Sequence, residues 1–456
     1  REMPATADLT TAEGRDAQYA MLGDYLIRRP NLLLAIWDGE VNGLAGGTSE
    51  VLLGFLAGSI GAKIARVPQA SATMEDCNDI ALWIPVRRES NLQAQLPARA
   101  EYLVANSNAD CYWPASELPA QIAARWKALD EFAVLGSSDL GADLAAYGLA
   151  GADASDEASA LDYAFIRADQ IARANQVNSD RMFKLFGLLA AAMGLFFLVY
   201  AKLLAAKFLL VLYVAIFVFG FIGFRISANR HWLGHHLAYR VLAETLRVQY
   251  FLVRSGAGRG YRLLRILKLT SVDRFKRFEW LQDAIRSAEP LHYGVLQPAE
   301  AISAVQGGWI DDQLGYFRKR LHAMHKEHLR LERIKSALLL GSVVGALALI
   351  FFKKELQHLE MTGFDGKTWL VFFMGLLPLW VAVWELYQGK MATRELLWQY
   401  ANQQRYFSAA AHQIGTTADL DAQQQILRDL ADKALIEIYL WSVHRYHREH
   451  EPPAAG

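Results

Sequence analysis

FLLVLYVAIFVFGFIGF, residues Phe208–Phe224, is apolar on every face of a helix and carries no charged side chain. Such a helix is either the buried core of a large protein or a membrane span, and the length of the stretch and its repetition in the chain favour the span. Three others resemble it: Leu185–Ala201, Ser336–Phe352 and Trp369–Leu386. Each holds about 17 residues, the lower limit for a hydrocarbon core of about 30 Å, and flanking lysine and arginine extend its reach by snorkelling. The four form two hairpins, and Glu385 is the single acidic or basic residue inside them. Carriers bury ionisable groups at mid-membrane because such groups are kept there only for function, so a carrier is not expected. Oligomerisation could still build a pore. Gly187, Gly194, Gly341 and Gly345 supply small faces for helix contact, the last two as G-x-x-x-G.

Most of the 456 residues lie outside these spans. With 47 basic and 47 acidic side chains the chain has no net field to draw in a nucleic acid. Cys77 and Cys111 stand in unrelated contexts without metal-ligand spacing, which indicates neither a disulfide framework nor a zinc site and favours a reducing setting. Arg173, Arg181 and Lys184 precede the first hairpin, Arg225, Arg230 and Arg240 follow it, and Arg318–Lys335 is densely basic before the second. The positive-inside rule then places all the large segments, and both ends of the given sequence, in the cytoplasm. Lys202, Lys207, Lys353 and Lys354 at the hairpin tips count mildly against this.

The two hairpins read as a degenerate duplication. A polar helical approach begins near Tyr163 and again near Tyr316, and an amphipathic stretch follows each pair, His235–Leu252 and Lys390–Phe407. Helix, hairpin, helix is used twice, and long helices leaving the membrane suit packing against copies of themselves in a homo-oligomer.

Ahead of this region, Leu32–Ile36 is a continuous apolar run suited to a buried parallel strand, followed by a loop with Gly39, Gly43, Gly46 and Gly47 and a helix from Thr48. Strand, glycine-rich loop and helix let backbone N–H groups approach a phosphate. Ala12–Arg28 is expected as the preceding helix and Ile80–Val86 as a later strand. Pro119–Phe132 is expected as a capping helix, with proline at its first turn. Gly136–Ala158, rich in Ala, Gly, Ser and Asp, reads as a flexible connector.

W-D-G followed by G-G-T and a carboxylate resembles the SLOG superfamily, Rossmann-like domains related to the LOG phosphoribohydrolases and to DprA. The resemblance implies that Trp37, Asp38, Gly39, Gly46, Gly47, Thr48 and Glu50 hold the phosphates or ribose of a nucleotide, ADP-ribose-like or cyclic. The LOG pattern sets its glutamate three residues beyond the threonine, and here Glu50 is two beyond Thr48. One helical residue rotates a side chain by about 100°, so binding is expected rather than hydrolysis. The earlier strands of a complete SLOG fold are missing, so either residues upstream of Arg1 complete the sheet, which the non-Met start favours, or the domain is a remnant.

His231–Arg247, through Trp232, Arg240, Ala243, Glu244 and Arg247, resembles the helix that follows the membrane in SLATT modules, the two-span partners of SLOG domains in bacterial conflict loci. Gly308–Phe317 resembles their approach helix. Read from the residues alone, Arg240 and Glu244 form an i,i+4 pair. His231 and His235 share a face and His236 points away, a pattern expected of interfacial polar residues rather than a metal site.

The expected fold is an α/β, partial Rossmann-like domain in residues 1–95, then a capping helix and linker (96–158). Two all-α two-span modules follow (159–305 and 306–456). The resemblance implies a multi-pass protein of the bacterial inner membrane that binds a nucleotide messenger, oligomerises and permeabilises the bilayer in antiviral defence. A membrane-anchored nucleotide hydrolase and a membrane scaffold without a small-molecule ligand are the alternatives. No cofactor and no catalytic residue is assigned.

Overall fold

The computed structural model describes residues 8–68, 79–89, 96–106, 110–135, 149, 159–258, 279–288, 298–361, 363–391 and 393–446. Most of the segment read as a connector, and Cys77, lie outside them. The chain forms two compact units. One comprises Arg1–Ala146, Ser159–Leu161 and Arg262–His292, and the other Tyr147–Ala158, Asp162–Tyr261 and Tyr293–Gly456.

The first unit is a small mixed sheet between helices. Helix α1 (Ala12–Arg28) starts where the Thr11 hydroxyl accepts the Gly14 N–H, satisfying one donor of the first turn. Strand β1 (Leu33–Trp37) follows, then α2 (Thr48–Ala57), which stops where Gly58 takes φ +74°. Strands β2 (Ala65–Arg66), β3 (Asp79–Pro85), β4 (Glu101–Asn106) and β5 (Cys111–Ala115) complete a sheet in the order β1-β3-β4-β5-β2.

β1 and β3 run parallel, as the sequence led one to expect, with Leu33 opposite Ala81 and Ile36 opposite Ile84. β3, β4 and β5 pair antiparallel. One face buries Trp37, Leu52, Phe55, Trp83 and Leu103 under α1 and α2. The other buries Ile80, Val104 and Trp113 against Ile122 of helix α3 (Ala120–Leu135).

The apolar run at β1 pointed to burial on both faces, and here the structure differs. Ala35 and Trp37 are buried while Leu34 and Ile36 are exposed, because α3 covers the face over β3, β4 and β5 and stops short of the edge strand. Far along the chain, helix α7 (Trp280–Ala288) also belongs to this unit, although the sequence reading counts it with the first membrane module. Two buried ion pairs fix it: Arg125 Nη2 lies 2.6 Å from Asp283 Oδ1 and Arg286 Nη2 lies 2.5 Å from Asp79 Oδ1.

Among the described residues the second unit is helical apart from one two-stranded turn. Helix α4 (Ser159–Lys202) runs 44 residues without interruption, its second half being the first apolar stretch. After a tight turn, α5 (Lys207–Arg230) returns. A single left-handed residue, His231 at φ 50°, separates α5 from α6 (Trp232–Arg254).

The second hairpin repeats the scheme. Helix α8 (Pro298–Val305) and a π-helical turn, Gln306–Asp311, lead into the 40-residue α9 (Asp312–Phe351). The short helix α10 (Lys353–His358) and strands β6 (Glu360–Met361) and β7 (Phe364–Asp365) make the tip. Then α11 (Gly366–Met391) returns, followed by α12 (Thr393–Thr416) and α13 (Leu420–Tyr446).

Among the described residues four helices are long and apolar enough to cross a membrane, and protein buries little of their apolar stretches. Phe208, Val211, Phe221, Leu340, Ile350 and Phe351 are all exposed, a surface that water disfavours and a hydrocarbon core does not. Glycine lets the spans approach one another. A Cβ on Gly194 of α4 would collide with Leu379 of α11, one on Gly375 of α11 would press on Leu198 of α4, and Gly345 of α9 lies against Met374 and Leu370 of α11. Gly187 has open space around it. Glu385 meets Lys335, whose Nζ lies 2.5 Å from its Oε1, which accounts for a carboxylate at the end of an apolar stretch.

Candidate ligand sites

In the first unit the structure gathers the residues named from sequence around the loop between β1 and α2. The buried Asp38 carboxylate accepts the Glu40 N–H at 3.1 Å and pairs with Arg88 at 2.9 Å. The Trp37 indole donates to the Glu40 carbonyl at 2.8 Å, and the Trp83 indole donates to the Trp37 carbonyl at 3.0 Å. Gly39, Gly43 and Gly46 all have positive φ, which favours glycine. At Gly46 a side chain would also run into the backbone of Tyr19 on α1.

Part of the loop's hydrogen-bonding capacity is used internally. Gly46 N–H donates to Glu50 Oε2 at 2.6 Å and Gly47 N–H donates to the Leu44 carbonyl at 2.9 Å. Glu50 therefore stabilises the loop. Gly47 caps α2 with backbone alone and no side-chain bond, so Thr48 opens a helix N-terminus whose positive end suits an anion.

The second unit brings together residues that the sequence left apart. On α6, Arg240 reaches Asp169 of α4 at 2.7 Å and Glu244 of its own helix at 2.6 Å, and Arg247 holds Glu244 at 3.0 Å. Arg173 closes on Asp169 at 2.7 Å, and the Arg247 guanidinium lies over the Phe165 ring at 5.0 Å. The expected Arg240–Glu244 pair is thus one edge of a network. Asp169 was not visible as its centre, because charged residues on a polar approach helix normally face water.

His231 and His235 pack edge to face at 6.4 Å. His236 turns inward, its Nδ1 donating to the Ala172 carbonyl at 3.0 Å and its ring standing edge-on to Trp441 at 5.8 Å.

The π-helical turn places Trp309 in the interior, stacked on Phe251 at 5.7 Å and edge-on to Phe407 at 5.6 Å. Beside it lies a cavity of about 110 Å³ walled by α6, α9, α12 and α13, with Trp309, Tyr316, Phe317, Tyr400, Phe407 and Trp441 around it. An adjoining space of about 650 Å³ shares Arg240, Tyr316, Tyr400 and Trp441 and adds Arg173, Arg247, Arg320 and Arg445. Burial, with Tyr316 alongside, keeps the Tyr400 hydroxyl protonated well above its ordinary range. Burial likewise raises the Glu437 carboxyl on α13, which Asn402 opposes.

No family model, curated protein or solved structure matches the chain.

Proposed function

We propose that the protein is a ligand-gated membrane effector, in which a nucleotide messenger alters helix packing and the altered packing permeabilises a bacterial inner membrane in antiviral defence. One observation carries the reading. α4 and α9 pass unbroken from the polar helical bundle into apolar spans, over about 66 Å and about 60 Å at 1.5 Å per residue. A continuous helix carries a tilt or turn made at one end along its length, so repacking around Asp169, Arg240 and Glu244 is passed toward the spans. By chain direction each hairpin returns to the side from which it left, which puts the polar helices at one end of the spans and, by their basic excess, in the cytoplasm.

The messenger is assigned to the β1–α2 loop on its residues and their resemblance to SLOG domains, with an ADP-ribose-like or cyclic nucleotide as ligand. Glu50 is held by Gly46, which favours binding over hydrolysis at this loop. The exposed apolar surfaces of the spans supply contacts for lipid and for further copies in an oligomer. Energetically the ligand must prefer the open assembly. Moving an equilibrium from 1:99 to 99:1 takes about 5.5 kcal/mol of differential affinity.

The test is dye release from liposomes holding the full chain. Addition of ADP-ribose, cyclic ADP-ribose or a cyclic dinucleotide is expected to release the dye, and Asp38→Ala to abolish the response. Saturable nucleotide binding without release from any liposome rejects gating.

A further inference from the structure

The two stretches of the second unit that stand out in sequence converge on one place. Arg240 and Glu244 from α6, and Trp309, Gln313, Tyr316 and Phe317 from the turn into α9, all line the smaller cavity. Its walls are flat aromatic rings, and its polar lining includes acceptors without donors.

Glu437 is 7% exposed and Gln403 is 8% exposed, and Glu437 Oε2 and Gln403 Oε1 are buried with no hydrogen-bond partner among the described residues. The Gln403 amide orientation follows from its Nε2 donating to the Ala434 carbonyl at 3.3 Å. His236, 3% exposed and facing the larger space, spends its Nδ1–H on Ala172, so in the neutral ring Nε2 is a third acceptor without a donor. An unmet buried polar atom costs about 1–3 kcal/mol. Three of one kind around joined cavities call for a guest rich in N–H or O–H groups.

The larger space supplies the opposite chemistry. Five arginines and three carboxylates, Asp180, Asp312 and Glu327, line it. Asp169 and Glu244 hold Arg173, Arg240 and Arg247 in place, whereas Arg320 is exposed and makes no ion pair among the described residues. At about 650 Å³ the space falls within the range of small-molecule sites, roughly 300–1,000 Å³.

We propose that these joined cavities form a nucleotide site within the helical unit. A guanine-type base lies among the aromatic rings with its ring N–H and amino groups toward Glu437 and Gln403, a sugar hydroxyl meets His236, and phosphate reaches Arg320. Guanine is selected over adenine because the acceptors require a ring donor where adenine carries an acceptor. A site built around a hydrogen bond rejects the analogue that lacks it. The site deepens the gating reading and rests on it only for the consequence at the spans, since every wall is a helix that enters or leaves the membrane or packs on one that does.

The experiment is equilibrium binding to the full chain in lipid nanodiscs, followed by tryptophan fluorescence and by calorimetry. GDP, ADP, guanosine and inorganic phosphate are the probes. GDP is expected to bind saturably and at least tenfold tighter than ADP. Glu437→Gln should weaken GDP at least tenfold while leaving ADP unchanged, and Arg320→Met should weaken GDP but not guanosine. Arg320 is exposed, so its variant folds even if the Glu437 variant does not.

Absence of GDP binding, which would leave the acceptors to ordered water, overturns the site. So does equal affinity for ADP, or binding that survives both substitutions and is lost in Asp38→Ala. Dye release measured in parallel separates the two proposals. GDP binding without release of dye by any nucleotide removes gating alone, whereas release by ADP-ribose without GDP binding removes this site alone.

Discussion

Asp283→Ala tests how the first unit is held together. The Asp283 side chain is fully buried and takes two bonds from Arg125, Nε at 3.0 Å and Nη2 at 2.6 Å. Arg286 and Asp79 form a second buried pair, so the group of four charges is neutral. Burial lifts the Asp283 carboxyl above its ordinary range even though Arg125 opposes it, which means desolvation outweighs what the partner returns. The pair is therefore a weak source of net stability. Truncating one member is still severe, because a buried guanidinium loses its carboxylate and the group acquires a net positive charge.

Such truncations cost about 3–5 kcal/mol, a large share of the roughly 5–15 kcal/mol that holds a domain folded. Hydrogen exchange on peptides from β3 and α3 of the full chain in detergent measures the opening free energy directly. Protection there should fall by about two to three and a half orders of magnitude, while peptides from α12 and α13 keep theirs. Replacing both partners, Arg125→Met with Asp283→Leu, should restore most of the loss, since the apolar pair avoids desolvation. A fall of less than tenfold in the single variant, or a double variant no better than the single, would refute the reasoning.

Gly194→Leu should force α4 from Leu379 of α11 and lower the unfolding midpoint in detergent by about 1–3 kcal/mol of overpacking, while Gly187→Leu, facing open space, leaves the midpoint unchanged. Asp169→Asn should destabilise the bundle by about 1–3 kcal/mol, less than a fully buried pair because Arg240 remains 27% exposed. Arg173→Met, whose side chain is 60% exposed, should be nearly silent in the same unfolding measurement. Burial raises the folded-state Glu437 carboxyl above its ordinary 4.5, so its contribution is fully present below that pH and is lost as pH rises through the raised value. Melting curves between pH 4 and 7 should show this slope in the parent protein and its loss in Glu437→Gln.

Local patterns in the sequence carried a good deal of this structure. Helix Ala12–Arg28 was legible from its place ahead of the first strand, and β1 and α2 from a continuous apolar run followed by a glycine-rich loop. The spans were legible because nothing but lipid tolerates Phe208–Phe224. Pairings between distant segments were not. The antiparallel run of β3, β4 and β5 depends on partners whose alternation looks the same in either direction. Helix α13 is hard to see in the sequence although Leu427, Leu430, Ala431 and Leu435 fall at helical spacing and are all buried, because its polar residues mask the stripe. The inward turn of Glu437 from the same helix had no signal at all, since a lone carboxylate on a mixed helix normally faces water.

Helix α7 is needed to complete the first unit, yet residues 136–279, 144 of them, emerge from the ribosome between α3 and α7. At roughly 5–20 residues per second that is a delay of about 7–29 s. Throughout it Arg125 and Asp79 have neither Asp283 nor Arg286 to neutralise them. The sheet has all its strands by then, but the first unit stays without its last helix and its two buried ion pairs until the first hairpin has been synthesised.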